Sequence, residues 1–263
     1  MKGSYDLANK NKKRDKVFFQ KYKKQNKQQS VYDKTFKFRG SNSKDIKEKL
    51  LNSKIGLYNA GGSCYMASII QILIHSELFL EQFYKNKSYY SLYSLSSKFL
   101  NFIEKIANSV DSIEIKNFSN EYNKINNKFS GNKGNNPMTF FNEFIKNLSE
   151  ETNENILKLY MGKRYIKFEG MSDLNYEEDF TFFLVVLDKR NDNIQDKLYE
   201  EKTFEDDENL KFTEEIIVKP NIFIINLEFD DYIDYKIEYW IKVDDISYNL
   251  KAINKYTDFH SIA

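Results

Sequence analysis

Cysteine is nearly absent from this chain. Cys64 is the only one among 263 residues, which excludes an internal disulfide framework and any zinc site built from several cysteines. Histidine is almost as scarce. His75 and His260 are the only two, so little is left for other metal sites, and no metal or cofactor is expected. Long apolar runs are missing too: no stretch approaches the roughly 18 residues of a membrane span. The first residues, Met-Lys-Gly-Ser-Tyr-Asp, lack the apolar centre of a secretory signal. These absences lead to the expectation of an intracellular, non-secreted protein without a membrane partner. A net excess of charge is lacking as well, since 40 basic residues face 39 acidic ones.

The balance hides a separation. Residues 1 to 50 are strongly basic and residues 169 to 245 are rich in Asp and Glu. Lys10, Lys12, Lys13, Arg14, Lys16, Lys21, Lys23, Lys24 and Lys27 sit among Asn and Gln, a composition too poor in apolar groups to fold alone. Residues 1–43 are therefore read as a basic, disordered extension. Nucleic-acid contact or nuclear import is the sharper reading of such a run and a solvated tail the plainer one; nucleic acid is not expected as a partner. With 41% hydrophobic and 16% aromatic residues, the remainder has the means to bury a core.

Three of the nine glycines, Gly56, Gly61 and Gly62, cluster just before the cysteine. After it, Met66, Ile69, Ile70, Leu73 and Ile74 recur at the spacing of a core-facing helical stripe, with Ser68, Gln71 and His75 between them. A loop thus turns into a helix, with Ser63 as candidate N-cap and Cys64 in the first turn. Helix N-termini favour a thiolate, the reactive form of cysteine. A lone cysteine usually does no more than pack. Here a glycine-rich turn, a cysteine at a helix start and the amide of Asn59 five residues upstream are the parts of a nucleophile with an oxyanion hole.

Around this stretch the pattern is helical first and extended later. Helices are expected over Asp45 to Asn52, Ser76 to Tyr84, Leu92 to Asn108 and from Pro137 onward, with a loop over Ser130 to Pro137. Strands are expected at Phe180 to Leu187, Ile216 to Val218, Ile222 to Leu227, Ile237 to Val243 and Tyr248 to Ile253. The order points to an α+β fold, helical over 44–162 and β-rich over 163–263, with the Cys64 helix packed on a mainly antiparallel sheet.

The string Gly56-Leu-x-Asn59-x-Gly61-x-Ser63-Cys64-Tyr65-Met66-x-Ser68-x-x-Gln71-x-Leu73 resembles the cysteine box of the ubiquitin-specific proteases, papain-like deubiquitinating enzymes. Further resemblances are Ile156 to Gly162, the short segment ending in an aromatic, any residue and Gly, and Lys219 to Phe229, the family's Leu-Pro strand. In the helix after Pro137 only Glu143 and Phe144 keep the family's Gln-Gln-Asp-x-x-Glu-Phe signature. The resemblance implies a papain-like thumb and palm over residues 44–263, ubiquitin or ubiquitinated proteins as partners, and a cytoplasmic or nuclear setting. Family members commonly hold a zinc on two Cys-x-x-Cys pairs in their fingers. None is present, so short, metal-free fingers are expected.

A thiol nucleophile needs a base. His75 lies roughly 16 Å along the helix axis from Cys64 at about 1.5 Å per residue, too far to reach it, and reads as a residue of the helix surface or core edge. His260 remains. Tyr248-x-Leu250-x-Ala252, a loop, and His260-x-x-Ala263 resemble the histidine box, which makes His260 the general base by that resemblance. Phe259 and Ser261 stand where the family usually has Gly and Tyr, and the sequence stops three residues after His260, before the strand on which the family carries its third catalytic residue. The implied activity is a thiol-dependent deubiquitinase with Cys64 as nucleophile and Asn59 in the oxyanion hole. The alternatives are a weak or inactive ubiquitin-binding relative, a chain truncated before its third catalytic residue, and a papain-like protease acting on another modifier or on peptides.

Overall fold

The computed structural model describes residues 43–58, 61–129, 134–152, 156–189, 192–204, 207–229, 237–257 and 260–262. Nearly all of the basic extension, Asn59, residues 130–133 of the expected loop, Asp258 and Phe259 lie outside them.

The first half is helical. Helix α1 (Ser43–Leu51) buries Ile46 and Leu50. Strand β1 (Leu57–Tyr58) leads to α2 (Cys64–Ile74), and Ser76 precedes α3 (Glu77–Lys85). Helix α4 (Leu95–Ala107) is followed by β2 (Ile113–Glu114), α5 (Lys116–Ile125) and α6 (Pro137–Glu150). The caps explain the boundaries. Ser94 accepts from the Ser97 N–H at the start of α4, and Asn136 accepts from Met138 and Thr139 at the start of α6, where Pro137 has no N–H to lose. The Glu151 carboxylate, at the far end of α6, accepts from the N–H groups of Leu95 at 2.8 Å and Ser96 at 2.7 Å. One helix end thus caps another. Helix α5 was not expected, because only Phe118 and Tyr122 are buried among its polar residues.

Aromatic rings fill the space between these helices. Phe99 meets Phe83 at 5.3 Å, Phe118 at 5.6 Å and Phe144 at 5.0 Å between centroids, and Phe144 also meets Tyr122 and Phe140. Edge-to-face rings pack densely without polar partners. Helix α2 runs through this core, which explains why nearly all of its residues are buried. Among the described residues no single helix is long and apolar enough to cross a membrane.

The second half is extended. Strands β3 (Gly162–Phe168), β4 (Tyr176–Phe180), β6 (Lys202–Phe204) and β7 (Asp207–Val218) form an antiparallel sheet in the order β4-β3-β7-β6. Strands β5 (Phe183–Leu187) and β8 (Ile225–Phe229) form a parallel pair. Strands β9 (Trp240–Val243) and β10 (Ile246–Asn249) form an antiparallel hairpin, as do β11 (Lys255–Thr257) and β12 (His260–Ile262). A short helix, α7 (Ile194–Lys197), joins the core made by Phe180, Phe183, Val185, Leu187, Ile216, Ile241 and Val243. Antiparallel pairing therefore dominates, with β1–β2 and β5–β8 parallel.

Several strand expectations need adjusting. The aromatic run from Phe180 to Leu187 is not one strand: Phe180 ends β4 and Phe183 begins β5, so the chain changes sheets at Thr181 and Phe182. Both flanking rings are buried against each other, and hydrophobicity alone cannot reveal that corner. The strand expected from Tyr248 ends at Asn249, after which Leu250 and Ile253 are exposed. The expected strand at Ile216 to Val218 is the end of the much longer β7.

Candidate active site

Cys64 is the first residue of α2, 7% exposed at the end of a buried helix. The turn before it depends on glycine. Gly61 and Gly62 have φ of 72° and 73°, the left-handed region that other residues resist. A Cβ on Gly61 would meet nothing within 4 Å, so its backbone angle, not its space, calls for glycine there. Ser63 occupies the N-cap, and its carbonyl accepts from Met66 and Ala67. Its hydroxyl makes no capping bond to the helix, unlike the cap expected from its residue type. The first-turn N–H groups point out of the helix N-terminus, a direction suited to donating to an oxyanion.

Tyr65, next to the cysteine, is locked in the aromatic core against Phe129 at 6.0 Å and Phe140 at 5.5 Å. Burial raises its phenol above the ordinary value, the hydrogen bond with Asn135 works the other way, and charge at Cys64 adds to the rise. Asn135 was not singled out in the sequence. Phe144 and Glu143, the retained pair of the family signature, serve different ends: Phe144 is buried, and Glu143 pairs with Lys128 at 3.1 Å.

Of the two histidines, His75 stands at the far end of α2, as its spacing implies. Its Nδ1 is 2.7 Å from the Gln71 carbonyl oxygen and its Nε2 is 3.0 Å from the Ser53 carbonyl oxygen. His260 opens β12, opposite Thr257 in the β11–β12 hairpin. Strand β12 packs against α2. The helix that begins with Cys64 and the strand that begins with His260, 196 positions apart in the sequence, are therefore neighbours in the fold. Asn59 lies outside the described residues, one position beyond β1, which also packs on α2. Among the described residues no group of three or more His, Cys, Asp or Glu side chains could hold a metal.

The acidic segment is less open than its composition implies. Glu177 pairs with Lys163 at 3.2 Å, Glu178 with Arg164 at 2.7 Å, Glu215 with Lys167 at 2.5 Å and Glu201 with Lys211 at 2.7 Å. Buried Glu214 is held between Arg164 and Lys202. Both cations also lie over the Phe183 ring, Lys202 at 4.8 Å and Arg164 at 5.9 Å. Cross-strand pairing thus offsets much of the local charge.

The family model for ubiquitin carboxyl-terminal hydrolases matches residues 55–258. No curated protein shows significant sequence similarity to the chain. Among solved structures, the SAGA DUB module of Ubp8, in a Cys-to-Ala variant form, with Sgf11, Sus1 and Sgf73 bound to monoubiquitin superposes with a TM-score of 0.61 at 14% identity. That match covers 94% of this chain and 66% of the other. The same module bound to ubiquitin aldehyde gives 0.51 at 15% identity, covering 73% and 49%. A further structure of the Ubp8-Sgf11-Sgf73-Sus1 module gives 0.55 at 14% identity, covering 72% and 52%. The chain thus spans about half to two thirds of the structures it matches. Identity this low carries the fold alone.

Proposed function

Because the chain belongs to the family of ubiquitin carboxyl-terminal hydrolases, we propose that it is a thiol-dependent deubiquitinase with Cys64 as nucleophile, His260 as general base and Asn59 as an oxyanion donor. The observation that carries this reading is the packing of the His260 strand along the helix that starts with Cys64. In the proposed reaction, His260 takes the thiol proton as Cys64 Sγ attacks the carbonyl carbon of the C-terminal Gly of ubiquitin. The negative oxygen of the tetrahedral intermediate accepts from the Asn59 amide and the Cys64 backbone N–H. Collapse expels the substrate amine, which receives the proton from His260. Water, deprotonated by His260, then attacks the thioester, releasing ubiquitin with a free carboxylate and restoring the thiol.

Ubiquitin or ubiquitinated proteins are the proposed partners, in the cytoplasm or nucleus; the Ubp8 modules are bound to ubiquitin and ubiquitin aldehyde in the matching structures.

The experiment is reaction of the chain with ubiquitin bearing a C-terminal electrophile. A covalent adduct is expected, abolished in Cys64→Ala and slowed by at least about a hundredfold in His260→Ala, the lower end of the range for general-base catalysis. An adduct that persists in Cys64→Ala refutes the assignment. The second reading, a weak or inactive ubiquitin-binding relative, draws on Phe259 and Ser261 beside the histidine and on the reduced signature at Glu143 and Phe144. It predicts ubiquitin binding without an adduct.

A further inference from the structure

The polar positions of α2 do more than separate its apolar ones. Gln71 and His75 are four residues apart, one above the other on the same face of the helix, about 6 Å apart along its axis. Alongside runs the segment leading to β1. The Gln71 side-chain amide donates to the Ile55 carbonyl at 2.9 Å, and His75 Nε2 lies 3.0 Å from the Ser53 carbonyl. One helix face thus holds two carbonyls of the segment, Ser53 and Ile55, at once. His75 is itself braced by its Nδ1 contact with the Gln71 carbonyl. On its other side the segment is held by backbone, with the Ile113 N–H donating to Gly56 and the Ile115 N–H to Tyr58. Residues 53–58 are thus fixed between the helix that carries Cys64 and strand β2, directly before residue 59.

We propose that Gln71 and His75 are positioning residues, which clamp residues 53–55 to the flank of α2 and so set where the chain enters the loop that precedes Cys64. The inference rests on the deubiquitinase reading for its catalytic consequence, because the loop begins at Asn59. The helix supplies the nucleophile at its first residue and, through Gln71 and His75 at its other end, holds the segment that leads to residue 59. One rigid element then controls both. Neither residue touches substrate in this account. Their effect is on the distance between oxyanion donor and thiol, to which rates are sensitive at the ångström level.

The test uses the full chain and two variants. Gln71→Met removes the donor at nearly constant length, and His75→Phe removes both ring nitrogens at nearly constant shape. With a fluorogenic ubiquitin C-terminal amide, each is expected to keep its KM and to lose about tenfold in kcat, since an oxyanion donor is displaced rather than deleted. Amide hydrogen exchange should accelerate in peptides covering residues 53–58 and at Ile113 and Ile115, while residues 137–150 keep wild-type protection. Wild-type kcat in both variants overturns the proposal. So does a loss of kcat with faster exchange throughout α4 and α6, which marks general destabilisation. If the wild-type chain itself does not turn over the substrate, the deubiquitinase reading falls, and exchange alone decides the clamp. Acceleration confined to residues 53–58 and 113–115 supports it, and unchanged exchange overturns it.

Discussion

At the scale of the residue, Gly162 shows how a side chain can be excluded by its neighbours. A Cβ there would sit 2.4 Å from the Phe180 ring and 2.8 Å from the Val218 carbonyl oxygen. It lies in the central strand β3, opposite Phe180 in β4, so the close approach is built into the sheet register. Gly162→Ala must push apart two strands. Its expected cost is about 1–3 kcal/mol, as for other overpacked sites, measured as a shift in urea midpoint without a change of slope. Asp192 gives a second prediction at this scale. Burial opposes its charge, but hydrogen bonds from the Lys189 and Asp188 backbone N–H groups and from the Lys197 ammonium outweigh burial and hold its carboxyl down at about 2. A carboxyl lowered by folding contributes stability above its unfolded value, about 3.9, and loses that contribution as pH falls toward 2. Denaturant titrations should therefore show wild-type stability declining between about pH 4 and pH 2, with a shallower decline in Asp192→Asn.

At the scale of the element, helices here are completed by one another. Helix α4 has its own cap in Ser94, yet two of its first N–H groups are satisfied by Glu151 from the end of α6. Negative charge at a helix N-terminus is favourable in itself, and loss of the carboxylate leaves two part-buried donors without it. Glu151→Ala is expected to cost about 1–3 kcal/mol by thermal or urea unfolding, the range for leaving a buried donor unsatisfied. A smaller loss in Glu151→Gln would separate hydrogen bonding from charge. In the sheet, Glu214 holds Arg164 and Lys202 together beneath the cross-strand pairs. Glu214→Ala leaves two cations facing each other in a partly buried site, and the expected loss is about 3–5 kcal/mol, the range for breaking a buried pair on one side.

At the scale of the whole molecule, α2 packs against both α6 of the helical part and β12 of the β-rich part. Trp240, the only tryptophan, lies in β9, whereas the helices report through far-UV circular dichroism. If the two parts unfold as one unit, the fluorescence and helix signals must be lost at the same urea concentration. Separated midpoints would show that the α2 contacts do not couple the parts.

Much of the first half was legible in the sequence, for local reasons. The stripe after Cys64 and the apolar face of Phe140, Phe141, Phe144, Ile145 and Leu148 obey helical spacing that neighbours along the chain suffice to define. Gly61 and Gly62 announced a backbone that few other residues adopt. The cysteine box carried the family because its motif is contiguous. What the sequence could not decide depends on partners far along the chain. Helix α5 forms because Phe118 and Tyr122 find rings on α4 and α6 to pack against. The corner between Phe180 and Phe183 exists because β4 pairs with β3 while β5 pairs with β8. The pairing of acidic strands with Lys163, Arg164 and Lys167, and the hold of Gln71 and His75 on the approach to the cysteine loop, arise from cross-chain register. Local periodicity fixes which face of an element is apolar; only the tertiary fold brings the His260 strand beside the Cys64 helix, because that contact joins residues with no short-range pattern between them.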